Sequence, residues 1–176
     1  MRTNHSLIVM FYVVNIVLAF TFVRVACAQS MPKVCIDAMN AHNNNAPPNI
    51  CADLFTQCLN TGKLAPEDQA IAYVNRGSAY RQLKQFQRAI DDFEKAITRA
   101  PRFAIAWHSR GSVYSELGQH ERAIEDYTAA IRFQPDLAGA YLNRANSYKA
   151  LGKIDKARED AKRAHSLDPK LKVSAF

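Results

Sequence analysis

Gly77 and Gly111 stand 34 residues apart, and the same interval relates Tyr80, Tyr114 and Tyr148, then Ala89, Ala123 and Ala157, Ala96, Ala130 and Ala164, and Pro101, Pro135 and Pro169. With Ala70 as first position the copies run 70–103, 104–137 and 138–171 without insertion or deletion. Copies one and two match at 16 of 34 positions, and copy three matches copy two at 12. A period of this size describes one helical hairpin written three times. Each copy can bury its apolar face only against its neighbour, so the chain must fold as a stacked array rather than around a central core. Such an array presents a surface, and binding is the function it most readily performs.

The first 28 residues have a different character. Seventeen positions from Leu7 to Val23 include only Asn15 and Thr21 as polar residues; Arg2 and His5 precede them, and Ala26-Cys27-Ala28 follows as a small-x-small site. That layout is a secretory signal peptide, 1–28, with mature protein beginning at Gln29 and no stable membrane insertion after cleavage. An uncleaved anchor is the alternative reading, because the run sits at the lower limit of a bilayer span. The expectation is therefore an exported protein, periplasmic or secreted.

Export bears on the cysteines. Cys35, Cys51 and Cys58 all precede the repeats, where an oxidising compartment favours a disulfide. Residues 29–66 read as a helical hairpin: Pro32 opens one helix to about Asn43, the turn formers from His42 to Asn49 break it, and a second helix runs from Ile50 to about Thr61, ended by Gly62. Seven residues on one helix separate Cys51 from Cys58 by about 10.5 Å, beyond disulfide reach. A turn near Ala46 instead sets Cys35 level with Cys58 and Cys51 opposite His42. A Cys35–Cys58 bond is expected, contributing about 3 kcal/mol through loop closure.

From Ala65-Pro66 onward each hairpin repeats one grammar, with proline in the first helical turn and a glycine or polar break near position fifteen. The expected spans are 67–83 and 86–99, 102–117 and 120–133, 136–151 and 154–167. Copy three places Ala161 where the others have Phe93 and Tyr127, and Arg158 and His165 where they have isoleucines, so its outer face needs no cover. Residues 172–176 form a short tail.

Net charge is +7, or +5 once Arg2 and Arg24 are removed with the signal. Acidic and basic side chains interleave along the helices, as in Arg88, Asp91, Asp92, Glu94 and Lys95, which suits solvated faces and not a nucleic-acid stripe. His42, His108, His120 and His165 are scattered, and there is no Cys-x-x-Cys, glycine-rich phosphate loop or zinc motif. No catalytic set, metal site or cofactor is expected.

The pattern of small residue, Tyr, Ala, aromatic, Ala and Pro at positions 8, 11, 20, 24, 27 and 32 of a 34-residue unit resembles the tetratricopeptide repeat, over residues 70–171. The phrases Asn75-Arg76-Gly77-x-x-Tyr80 and Ala123-Ile124-x-Asp126-Tyr127 are similar to those of bacterial members. Lys84 replaces the usual glycine, Ala161 the aromatic, and arginine stands at position 7 where leucine is common. The resemblance implies an all-α fold, an alpha-alpha superhelix of three repeats following the N-terminal hairpin.

It also implies that first helices line a concave groove through positions 2, 5, 6, 9, 12 and 13. The groove residues are then Asn75, Ser78 and Arg81 in copy one, His108, Ser109 and Ser112 in copy two, and Asn143, Asn146 and Lys149 in copy three. Asparagine at position 6 can donate to and accept from a peptide backbone at once; Ser109 interrupts the series between Asn75 and Asn143. A carboxylate clamp of the kind that grips chaperone tails would need Lys and Asn where Val74 and Ser78 stand. The recurrent Arg76, Arg110 and Arg144 face a recurrent acid at position 23, Asp92, Asp126 or Asp160, which points to structural pairing rather than a ligand site. The aromatic residues Tyr73, Trp107 and Tyr141 read as core.

The reading that follows is a non-enzymatic interaction module or scaffold of the cell envelope that takes a peptide or protein partner and no nucleic acid, with a homodimer open through the exposed ends of the array. Its rivals are a salt-sensitive binder of an acidic polymer and an enzyme built on His108 and Glu116.

Overall fold

The structure, a computed structural model, describes residues 31–171. These residues form eight helices and no strand: α1 (Lys33–Asn43), α2 (Pro48–Asn60), α3 (Pro66–Gln82), α4 (Phe86–Arg99), α5 (Ala104–Glu116), α6 (His120–Phe133), α7 (Ala138–Ala150) and α8 (Ile154–Leu167). The signal segment, its cleavage site and the tail lie outside the described residues. None of the described helices is long and apolar enough to cross a membrane.

Consecutive helices pair as four antiparallel hairpins, each packed on the next. First helices also touch one another, α3 against α5 and α5 against α7, whereas second helices reach only first helices. Inner helices crowded together with outer helices held apart bend the stack, so α3, α5 and α7 line its inner side.

The second helices carry a single apolar stripe. In α4, Ala89, Ile90, Asp92, Phe93 and Ala96 are buried, the spacing of one helix face. First helices are packed on two sides and use small residues there: Ala70, Ala72, Gly77 and Ala79 in α3. A Cβ at Gly77 would stand 2.8 Å from Phe93 Cε1, and one at Gly111 would stand 3.0 Å from Tyr127 Cε1. The conserved spacing of small residues is thus a clearance for the aromatic sixteen residues on.

Each first helix ends in the same turn. The N–H groups of Gln85, Gln119 and Lys153 reach back to the carbonyls of Tyr80, Tyr114 and Tyr148 at 2.9, 2.8 and 2.9 Å. The residue before them takes a left-handed backbone: Lys84 at φ 58°, Gly118 at 73° and Gly152 at 71°. Lysine fills a place that favours glycine.

Two expectations need correction. Pro66 does open α3, with Glu67 and Asp68 in its first turn, but Pro101 and Pro135 lie in the connecting turns, and α5 and α7 begin three residues later at Ala104 and Ala138. Their carbonyls instead accept hydrogen bonds from Trp107 Nε1 (2.9 Å) and Tyr141 Oη (3.3 Å). Trp107, Tyr141 and Tyr73 are half-buried; Tyr73 and Trp107 pack against the edge of the core, and Arg110, Arg144 and Arg76 stand 5.1, 5.6 and 5.6 Å from the Trp107, Tyr141 and Tyr73 ring centres.

At the N-terminal end, Cys35 and Cys58 are bonded to each other and fully buried between α1 and α2. Cys51 is a buried free thiol whose S–H donates to the Ala46 carbonyl at 3.5 Å, and burial pushes its ionisation up. It shares the wall of a cavity of about 240 Å³ with His42, Ala79 and Gln82.

Candidate peptide-binding groove

Arginine–aspartate pairs fix each hairpin behind the groove. Arg76 Nε and Nη2 donate to Asp92 at 2.7 and 2.8 Å, Arg110 to Asp126 at 2.8 and 2.8 Å, and Arg144 to Asp160 at 2.7 and 2.8 Å. The three aspartates are buried, so these are bidentate, desolvated pairs. In Arg76 burial is the largest single influence and opposes the charge, yet the Asp92 bond and charge together with Tyr80 and Tyr73 outweigh it; in Arg110 and Arg144 the aspartate bond is the largest influence. All three guanidiniums are held above the ordinary arginine range.

The remaining nitrogen, Nη1, reaches the preceding hairpin: Arg76 donates to Thr56 at 3.0 Å, Arg144 donates to Thr128 at 2.9 Å, and Arg110 lies 3.6 Å from Glu94. One side chain therefore holds two joints. A second repeated device sits beside it. Arg88 and Arg122 lie 3.9 Å above the Tyr80 and Tyr114 rings and donate to their hydroxyls at 2.6 and 2.7 Å, with Lys156 taking this place beside Tyr148 at 5.7 Å. Tyr80 and Tyr114 share one environment, and Tyr148, half-buried, keeps a looser version of it. Arg88 and Arg122 are exposed, as the alternating charge pattern assigns them, and cover the tyrosine rings from the solvent side.

On the inner side the nine candidate residues divide into two sets. Asn75 and Ser109 are half-buried and Asn146 is exposed, and none of these side chains has a protein partner among the described residues. Lys149 is exposed and makes interactions within the chain. Ile71 adds an exposed apolar side chain at the copy-one end.

The other five are engaged. Arg81 Nε donates to Glu116, which Lys84 also approaches at 3.6 Å. Asn143 Nδ2 lies 3.0 Å from His108 Nε2, the geometry of an amide donating to a neutral ring. Ser78 donates to the Val74 carbonyl at 2.8 Å. Ser112 is only 5% exposed; its hydroxyl donates to the His108 carbonyl at 3.0 Å and accepts from Tyr127 Oη at 3.4 Å. Ser112 thus belongs to the packing beneath the groove, its hydroxyl engaged by His108 and Tyr127.

The Arg81–Glu116 and His108–Asn143 contacts were not read from the sequence, although both span 35 residues, one period plus one. They join position 12 to 13 and position 5 to 6 of successive first helices, so the signal was present in the register. His108 also lies beside the Tyr127 ring, with centres 5.6 Å apart, and a Cβ on Gly139 would stand 3.8 Å from its Nε2. Burial first, and the Arg81 charge second, push its ionisation down and favour the neutral ring.

Of the residues in the enzymatic reading, Glu116 pairs with Arg81 and Lys84, and His108 with Asn143. Among the described residues no group of three or more His, Cys, Asp or Glu is placed to hold a metal ion. What the inner surface offers is an open row of amides, hydroxyls and one isoleucine over a cross-linked floor. Such groups are chemically suited to hydrogen bonding along an extended polypeptide backbone.

Comparison with curated proteins gives no match. Among solved structures the chain is similar to MamA, at 26% identity over 86% of each chain with a TM-score of 0.70. It is also similar to the first TPR of Spaghetti (RPAP3) bound to HSP90 peptide SRMEEVD, at 25% identity over 60% of this chain and 83% of that one, TM-score 0.59. A third is the second TPR domain of human RPAP3 in complex with HSP70 peptide SGPTIEEVD, at 27% identity over 61% and 89%, TM-score 0.59. Family comparison matches residues 70–103 and 138–171 to the tetratricopeptide repeat, 93–125 to the same repeat and 111–152 to the TPR repeat. With matched repeats running from residue 70 to 171 and a fold shared with solved repeat domains, the chain belongs to the tetratricopeptide repeat family.

Proposed function

We propose that this protein holds a peptide or protein segment against the inner faces of α3, α5 and α7, as a scaffold of the cell envelope and not as an enzyme. The observation that carries the reading is the set of unpartnered polar side chains, Asn75, Ser109 and Asn146, spread along the inner side over a floor fixed by Arg81–Glu116 and His108–Asn143. A rigid row of donors and acceptors loses little entropy on binding an extended backbone. The neighbours determined with bound HSP90 and HSP70 peptides support polypeptide as the ligand class. Val74 and Ser78 stand where a carboxylate clamp would need Lys and Asn, so the partner is of a different kind from those tails. Export is supported by the apolar run with its small-x-small site and by the disulfide of the N-terminal hairpin.

Crosslinking pulldown from the native envelope fraction tests this. The Asn75→Ala/Asn146→Ala variant, which spares the His108–Asn143 bond, is expected to lose one specific partner that the wild type retains. An unchanged partner list would remove the inner surface as the binding site.

A further inference from the structure

The charge of the described chain is not spread along it. Residues 31–137 hold twelve Lys and Arg against twelve Asp and Glu, whereas residues 138–171 hold eight against four. The whole basic surplus between 31 and 171 therefore lies in the last hairpin. Of its four acids Asp160 is buried against Arg144, while Lys149, Lys153, Lys156, Arg158, Lys162 and Arg163 are all exposed.

The position of three of these charges matters more than their number. In copies one and two the second helix meets the next hairpin at Glu94 and Thr128, the residues that Arg110 and Arg144 approach, and carries Ile90 and Ile124, Ile97 and Ile131 four positions before and three after them. In α8 the same register holds Arg158, His165 and Lys162, all exposed, with Ile154 on the same stripe at 39% exposure. A fourth hairpin of this family's pattern would bring its position-7 arginine to Lys162, a like-charge contact. The face keeps the shape that receives a helix but carries the wrong sign for another copy of the repeat.

We propose that the outer face of α8 docks an acidic amphipathic helix of another protein, stacked where a fourth hairpin would lie. Ile154 would meet its apolar stripe, Lys162 would pair with a flanking carboxylate, and Arg158, whose Nη1 donates to the exposed Asp155 at 3.1 Å, would turn a second nitrogen to another. Stripe geometry favours a helix over a flexible polyanion, because Ile154, Arg158, Lys162 and His165 follow one line of a helix surface at spacings of four, four and three. This surface is separate from the inner groove.

The test uses a labelled synthetic helix with leucine along one stripe and glutamate beside it, titrated by anisotropy into the purified protein at low salt. The wild type is expected to bind it, Arg158→Glu/Lys162→Glu to bind roughly tenfold more weakly, and a lysine-for-glutamate peptide not to bind. Asn75→Ala/Asn146→Ala should leave this affinity unchanged, which separates the result from that of the groove. Both reversed side chains are exposed, and an unaltered thermal transition would confirm a folded variant. Equal affinity of the charge-reversed protein would overturn the proposal. So would binding to phosphatidylserine vesicles or heparin in preference to the helix, or dimerisation of the wild type that the reversal abolishes.

Discussion

The Phe93 ring lies against the backbone of Gly77 so closely that a Cβ there would meet Phe93 Cε1 at 2.8 Å, and the ring, fully buried, has no room to retreat. Gly77→Ala should therefore destabilise the protein by about 1–2 kcal/mol, the overpacking cost outweighing alanine's better helix propensity. The cost should shrink in a Phe93→Leu background, a coupling that a double-mutant cycle by chemical denaturation measures. Copy three shows the same trade in its sequence, pairing Ala145 with Ala161.

Lys84 occupies a left-handed backbone where the other two repeats have glycine. Lys84→Gly should raise stability by about 0.5–1 kcal/mol, the relief of steric strain exceeding glycine's unfolded-state entropy and the loss of the exposed Lys84–Glu116 contact. A rise in the denaturant midpoint with unchanged slope would agree; a fall would show that the contact matters more than the strain.

Arg110 holds a buried carboxylate within its hairpin and approaches Glu94 of the preceding one. Arg110→Met leaves Asp126 desolvated without a counter-charge, so stability should drop by about 3 kcal/mol. Partner binding below the melting transition should persist. Unchanged stability with lost binding would reassign the arginine ladder to ligand recognition.

His108 favours its neutral form in the fold, because burial and the nearby Arg81 penalise the charged ring. With the folded value depressed, the unfolded chain takes up the proton first as pH falls below its ordinary 6.5. The contribution is fully present above that value and declines towards the lower folded one. Stability should therefore fall with acidification in this window, and His108→Gln should flatten that part of the curve in thermal melts taken across it. A slope unaffected by the substitution would show that other groups set the acid response.

Fold and register are legible because a fixed period sets equivalent residues in equivalent surroundings, as Tyr80 and Tyr114 show. The Arg76–Asp92 type of pair was legible for the same reason, a recurrent cation facing a recurrent acid. Residues 102–103 and 136–137 differ from the expected helical spans because proline is compatible with both a helix start and the turn before it, and the aromatic bonds to the Pro101 and Pro135 carbonyls favour the latter. Ser112 differs from its expected place because repeat position alone does not show that its hydroxyl is buried against Tyr127 Oη. The joints Arg81–Glu116 and His108–Asn143 occur once each, so repetition gives no hint of them; only the offset between stacked helices does.

The most direct test of the binding claim is photocrosslinking from single positions. A photoreactive residue at Ser109, on the inner side, should give an adduct with a polypeptide partner in the native envelope fraction, and the same residue at Gln87, exposed on α4, should give none. Adducts from Gln87 with none from Ser109 would contradict the account.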